Sequence, residues 1–294
     1  MAEGKIMKAL SGFYYVQDNE GEVYQCRARG VFRKNKQTPL VGDYVEFEAA
    51  NKTDGTVTRL LSRKNALIRP PVSNVDQALI AVSVKEPDFS TVLLDRFLVL
   101  VEKHLIEPVI LFTKMDLLEQ DEKNQIAEYR KIYEAMGYVV KEFSTALNYH
   151  SESLAPLLVG KTTVIAGQSG VGKSSFLNQL NPELQIKTAE ISNSLGRGKH
   201  TTRHVELVPI LGGHVADTPG FSSLEFTDID LEELPKLFVD FEMYSEACKF
   251  RGCMHMNEPK CRIKEAVDAG EIAKFRYDHY QQFYEEIKQR KPRY

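Results

Sequence analysis

Gly167-Gln168-Ser169-Gly170-Val171-Gly172-Lys173-Ser174 reads G-x-x-x-x-G-K-S, the spacing that wraps backbone N–H groups round phosphate oxygens. The glycines permit the turned backbone such a cradle needs. The apolar run Thr162 to Ala166 precedes the loop, and Phe176, Leu177 and Leu180 follow it at helical spacing. The helix start would add partial positive charge at the phosphates. Lys173 can reach the β- and γ-phosphates, and Ser174, followed by Ser175, can place a hydroxyl on Mg²⁺. Roughly forty residues on, Asp217-Thr218-Pro219-Gly220 follows the short apolar run His214-Val215-Ala216. A D-x-x-G segment after a strand suits a second phosphate sensor. Asp217 would hold Mg²⁺ through water, and the Gly220 amide would meet the γ-phosphate. Between the two motifs, Leu195 to Arg203 is rich in glycine and charge. One of Thr201 and Thr202 could complete the Mg²⁺ shell when the γ-phosphate is present.

Thr113-Lys114-Met115-Asp116 follows another apolar run, Pro108 to Phe112. It resembles N-K-x-D, whose carboxylate accepts from N1–H and the 2-amino group of guanine. Adenine would leave that carboxylate unpaired, so the expected nucleotide is GTP. The Lys114 stem would cover the base. Thr113 offers one hydroxyl where asparagine offers an amide, and a looser loop tether is expected. Ser144-Thr145-Ala146, after the next strand-like run, suits an accessory base loop. Phe221 stands where many GTPases carry a water-orienting glutamine, so another group must serve hydrolysis.

Four cysteines are present. Cys26 is isolated and reads as a small buried apolar residue. Cys248-x4-Cys253-x-His255-x5-Cys261 supplies three thiolates and one imidazole, a set suited to a closed tetrahedral Zn²⁺ site. Lys249, Arg251, Lys260, Arg262 and Lys264 surround it, and Lys288 to Arg293 adds a basic tail.

These groups need elements to position them. Residues 1–68 hold five short strand-like runs separated by turn signals such as Ser11-Gly12, Val41-Gly42-Asp43 and Asp54-Gly55. That pattern predicts a small OB-type β-barrel, with an SH3-like barrel fitting almost as well. Arg27, Arg29, Arg33, Lys34 and Lys36, beside Tyr24 and Phe32, would give the barrel an RNA-facing surface. Residues 69–222 alternate apolar strand-like runs with helical periodicity, which predicts an α/β domain built on a parallel sheet. A helix is expected over 119–136, stopped at Gly137. Residues 223–294 read as a helical, zinc-binding module ending in an amphipathic helix from Glu271 to Lys288. The 294 residues carry a net charge of −3, which gives no global argument for nucleic-acid binding. No run approaches the ~20 apolar residues of a membrane span. Met1 to Leu10 lacks the apolar stretch of a secretory leader, and a cytoplasmic location is expected.

The motif order is unusual. Asp116 precedes Lys173 in the chain, whereas GTPases ordinarily run phosphate loop, switch, D-x-x-G and then base motif. A compact sheet tolerates such permutation when its ends lie close together. Permuted order, the barrel and the Cys/His cluster together resemble the ribosome small-subunit-dependent GTPase A family (RsgA-like). The resemblance rests on TKMD at 113–116, GQSGVGKS at 167–174, GRGKHTTR at 196–203, DTPGF at 217–221 and the cysteines. It implies GTP hydrolysis stimulated by the small ribosomal subunit, with contacts to its 16S rRNA, late in that subunit's maturation. It also implies that His200, with Lys173 and Gly220, serves hydrolysis. A monomer is expected. Three other readings compete: a nucleic-acid-binding scaffold, an ATP-using P-loop enzyme and a permuted GTPase serving the large subunit.

Overall fold

In β1 (Ala2–Leu10), β2 (Phe13–Asp18), β3 (Val23–Ala28), β4 (Tyr44–Asn51) and β5 (Asp54–Leu60), alternate residues turn to one face. Ile6, Val16, Cys26, Val45, Phe47 and Val57 fill that face and are buried. Neighbour pairing runs β2-β3-β5-β4-β1, and β1 also pairs with β2, so the sheet closes on itself. Strands β3 and β5 pair in parallel. Two parallel neighbours need a crossover, and it is supplied by the stretch holding α1 (Gly30–Lys34) and β4. This is the closed barrel of OB type. The computed structural model describes residues 1–34, 37–68, 70–144, 154–181, 205–216 and 224–290, with Arg33 described by its backbone alone.

The segment after the barrel is pinned along its length. Asp43, fully buried, accepts from Arg63 Nε at 2.6 Å, Ser73 Oγ at 2.6 Å and the Leu40 amide at 2.7 Å. The Asn74 amide donates to the Gly42 carbonyl at 2.9 Å. Asp76 then accepts from the Thr162 amide at 2.6 Å, inside the next domain.

The second sheet contains β6 (Gln77–Ser83), β7 (Glu107–Thr113), β8 (Val139–Phe143), β9 (Thr162–Ala166), β10 (Val205–Ile210) and β11 (Gly213–Ala216). Their order is β10-β11-β9-β6-β7-β8, and only β10 pairs antiparallel. Every residue of β6 and β9 is buried, as a strand covered on both faces requires. The covering helices are α2 (Thr91–Lys103), α3 (Gln120–Ala135), α4 (Ala155–Leu158) and α5 (Lys173–Leu180). Glu119 and Glu122 form a capping box at the start of α3, and Gly137, at φ +91°, follows its end as expected. Lys8 and Ala9 of β1 pair with Glu206 and Val205 of β10, so the barrel continues the sheet past its edge.

The C-terminal module contains α6 (Val239–Ser245), α7 (Arg262–Asp268) and α8 (Lys274–Lys288). The last helix starts at Lys274 rather than Glu271, because Gly270 at φ +75° ends α7 and the chain must turn again before helix resumes. Phe238, Phe241, Tyr280 and Phe283 form its core. At its junction with the α/β domain lies a fully buried guanidinium. Arg276 of α8 pairs with Asp95 of α2 at 2.7 Å and with Asp240 of α6 at 2.7 Å. Asp95 also accepts from Tyr133 of α3 at 2.8 Å and meets His279 at 2.6 Å. Truncating one member of such a buried set typically costs about 3–5 kcal/mol, because its partners lose their counter-charge.

Candidate nucleotide site and metal centre

Five strands of the second sheet run parallel, so their carboxyl ends open on one edge. Ser83 of β6, Thr113 of β7 and Phe143 of β8 lie in register. Ala166 ends β9 opposite Ile80 of β6. The loops carrying the two nucleotide motifs are therefore neighbours in space, although Asp116 and Lys173 lie far apart in the chain. The neighbours of β9 are β11 on one side and β6 on the other, so the glycine loop opens where connections diverge.

Gly167 sits at φ +136°, and a Cβ there would lie 2.2 Å from the Ala81 carbonyl of β6. Only glycine fits that close approach. Gly170 at +82° and Gly172 at +96° continue the turned backbone, and Gly172 caps α5. Lys173 Nζ curls back to donate to the carbonyls of Gly167, at 2.8 Å, and Gln168. Burial pushes its ammonium down to about 8. Phosphate oxygens at the loop would favour the charged form again. Ser174 is buried beside it, and Ser169 and Val171 lie within the loop.

Thr113 keeps a tether through its single hydroxyl. Its buried hydroxyl lies 2.6 Å from the Val171 carbonyl of the phosphate loop and 3.2 Å from the Val82 carbonyl of β6. With one proton to give, it donates to the nearer Val171. The end of β7 is thus tied directly to the glycine loop after β9. Lys114 takes a left-handed conformation at φ +61° and donates to the Glu86 carbonyl. Met115 is buried. Asp116 is exposed and accepts from the buried Ser144 hydroxyl. The Glu86 contact had no signature in the sequence. The loop bearing it is held by Lys85 against Glu122 at 2.9 Å. Thr145, Ala146, His200, Thr201, Thr202, Asp217 and Gly220 lie outside the described residues.

In the C-terminal module, donor atoms of Cys248, Cys253, His255 and Cys261 all lie within 4.8 Å of one another. His255 Nδ1 is 3.7 Å from Cys248 Sγ and 3.4 Å from Cys261 Sγ. Tetrahedral Zn²⁺ bonded at ordinary lengths puts its S and N ligands about 3.6 Å apart, so the cluster fits a zinc site. Burial pushes the Cys253 thiol up to about 12, and Cys261 up likewise. It pushes His255 down, towards the neutral imidazole that ligates metal. A divalent cation among the thiols would stabilise their ionised forms. Tyr277 and Tyr280 hydroxyls donate to the His255 and Met254 carbonyls at 2.6 and 2.5 Å, fixing the ligand loop from α8.

The cationic surfaces differ in part from expectation. Phe32 belongs to the barrel core, and Tyr24 packs on Phe47 with ring centroids 5.2 Å apart. Among the described residues, the aromatic rings beside barrel cations are Phe13, under Arg27 at 4.8 Å, Tyr44, under Lys5 at 5.3 Å, and Tyr15, under Lys8 at 5.8 Å. On the metal loop Lys249 lies 5.2 Å from the exposed Phe250 ring.

A G-x-x-x-x-G-K-S loop and a T-K-M-D strand end, joined at the carboxyl edge of a sheet whose motifs run in permuted order, define a P-loop GTPase. The comparisons narrow this. Residues 60–227 match the model described as RsgA GTPase, and residues 3–57 match the RsgA N-terminal domain. A Geobacillus kaustophilus protein named Small ribosomal subunit biogenesis GTPase RsgA is 58% identical over 100% of both chains. A Listeria monocytogenes protein, Small ribosomal subunit biogenesis GTPase RsgA 2, is 61% identical, again over 100% of both. The crystal structure of YloQ, described as a circularly permuted GTPase, is 53% identical and superposes with TM-score 0.87, covering 100% of this chain and 97% of that one. That of YjeQ from Thermotoga maritima gives 39% and 0.89, covering 99% of each. The chain belongs to the RsgA GTPase family, and is a GTP-hydrolysing enzyme.

The Thr113 tether has a measurable consequence. Thr113→Val keeps the shape and leaves the Val171 carbonyl without its donor, a loss of about 1–2 kcal/mol. GDP affinity measured by calorimetry is expected to fall roughly ten-fold, and the melting temperature to drop by a few degrees. Unaltered affinity would show that the bond does not support the nucleotide site.

Proposed function

We propose that this GTPase acts in biogenesis of the small ribosomal subunit, the role its relatives' names state for them, and that docking on that subunit stimulates hydrolysis. The observation that carries this reading is the convergence of Lys173, Thr113, Asp116 and Ser144 at one sheet edge, in a chain whose two flanking modules expose cations. The proposed modules are the barrel over 1–68, the GTPase domain over 69–222 and the zinc module over 223–294. Arg27, Arg29 and Lys34 on the barrel, with Lys249, Arg251 and Lys260 on the metal loop, suit phosphate contacts to 16S rRNA.

Residues Gly167 to Ser175 would cradle the phosphates, Lys173 neutralising charge that develops on the γ-phosphoryl group. Ser174, Asp217 and Thr201 or Thr202 would hold Mg²⁺, which supplies electrostatic stabilisation of the triphosphate. Asp116, held by Ser144 and accompanied by Thr145 and Ala146, would read guanine. The Gly220 amide would sense the γ-phosphate and His200 would orient water. With Phe221 at the usual glutamine position, intrinsic turnover is slow and waits for the partner. The protein is proposed to work as a cytoplasmic monomer.

Three outcomes test this reading. GTP turnover is expected to rise strongly with purified small subunits and not with large subunits; equal rates with and without small subunits would remove the assigned role. Asp116→Asn is expected to shift preference from guanine to xanthine nucleotides, since the amide offers a donor where the carboxylate accepts. An unchanged preference would remove Asp116 from base recognition. Native mass spectrometry is expected to find one zinc per chain, lost in Cys261→Ser together with protease resistance of 224–290. A metal-free wild-type chain would refute the centre.

A further inference from the structure

Arg96 neighbours Asp95 on α2, but faces a different set of partners. One guanidinium nitrogen donates to the Leu224 carbonyl at 3.1 Å and to Glu286 Oε1 at 2.8 Å, and the other donates to Glu286 Oε2. The planar group lies 4.5 Å from the centre of the Phe226 ring and 4.8 Å from that of Phe283. The two rings meet edge to face at 5.0 Å. Leu224 and Phe226 belong to the stretch that leaves the D-x-x-G segment, Leu224 following Gly220 by four positions. Phe283 and Glu286 belong to α8. One side chain therefore joins three parts of the molecule: the helix after β6, the exit of the phosphate-sensing segment and the last helix of the metal-binding module.

The chemistry of this joint is specific to arginine. A bidentate pair with a carboxylate needs the planar fork, and stacking between two rings needs a flat cation. Lysine keeps the charge and most of the stem, but offers a point charge with neither property. Other links between α2 and the C-terminal module do not share the feature. Lys103 pairs with Glu233 at 2.6 Å, a point charge on a single carboxylate.

We infer that Arg96 is a positioning residue for GTP hydrolysis: by clamping Leu224 and Phe226 against α8, it sets where the chain leaves the D-x-x-G segment. The inference rests on the proposed role of Asp217 and Gly220. Arg96 lies in neither the phosphate loop nor the base loop, and acts on the chain that follows those residues through Leu224 and Phe226. Its loss slows the chemical step and leaves nucleotide affinity, which depends on the phosphate loop and the base loop, where it was.

Single-turnover GTP hydrolysis by the zinc-loaded full chain tests this. Arg96→Lys and Arg96→Ala are expected to lower the hydrolysis rate constant about ten-fold or more, the scale of a sub-ångström misplacement. GDP and GTP-analogue affinities should stay within two-fold, and zinc content should be unchanged. Lys103→Met is expected to keep the wild-type rate. Arg96→Lys hydrolysing GTP at the wild-type rate would overturn the inference. So would Lys103→Met slowing hydrolysis as much as Arg96→Lys, since general docking of the module would then explain both. Parallel loss of affinity or zinc in Arg96→Lys would likewise mark a purely structural role and overturn it. Gly220→Ala in the same assay separates the premise: a wild-type rate there removes the D-x-x-G reading itself, whatever Arg96 does.

Discussion

Strand direction is the constraint on which the rest depends. Strands β6, β7, β8, β9 and β11 run parallel, so each carboxyl end opens on the same edge. A parallel sheet gathers loops by direction and neighbour order, not by chain order. The phosphate loop after β9 and the base loop after β7 therefore meet, although the chain reaches them in reverse of the usual sequence. Permutation leaves the site's chemistry intact because no bond in the site depends on which loop comes first. What it changes is what hangs from the sheet. The barrel enters before β6, and the C-terminal module follows the D-x-x-G segment in the chain.

Both attached modules are bound by interactions that ordinary linkers lack. The barrel shares a strand with the sheet: Lys8 and Ala9 pair with β10, and Lys8 meets Glu206 at 2.9 Å. That pairing also protects an edge strand that would otherwise present free N–H and C=O groups. The C-terminal module is held by charge. Asp95 and Arg96, adjacent on α2, are both satisfied by α8, one through Arg276 and His279 and the other through Glu286. Buried ion pairs are poor sources of net stability, but they fix one arrangement, since any slip leaves a charge unpaired in a dry interior. For a module packed on the α/β domain through charged groups, that geometric definition matters more than binding strength.

The legible parts of the sequence were those whose chemistry is local. G-x-x-x-x-G-K-S, T-K-M-D and the Cys/His spacing each lie within about fifteen residues, where a motif can be read without knowing the fold. The barrel showed in strand alternation, and α3 in its boundaries. Long-range partners were not legible. Thr113 reads as a weakened asparagine until the Val171 carbonyl, 58 residues away, is placed against it. Arg276 reads as one more charge on an amphipathic helix, and only the fold reveals two carboxylates closing over it. Phe32 looked like an exposed ring beside cations, but its neighbours in three dimensions are the barrel core. The helix starting at Lys274 was set three residues early because apolar spacing does not register a left-handed glycine at 270.

The glycine loop and the Cys/His cluster share one electrostatic logic with opposite signs. At the phosphate loop, burial disfavours a cation, bringing Lys173 down to about 8. At the metal cluster, burial disfavours anions, raising Cys253 to about 12. Each site places a group where its charged form is unfavourable alone and becomes favourable beside a ligand of opposite charge. The desolvation already built into the fold then need not be supplied when the ligand arrives, which is what preorganisation means for a charged site. The cost is borne by the protein's own stability, and it is offset by packing nearby: the all-buried strand β9 behind Lys173, and the Phe241, Tyr277 and Tyr280 rings round His255. Rigid apolar surroundings are thus part of the ionic chemistry at both centres, because only a support that does not relax can hold a charge where water would not.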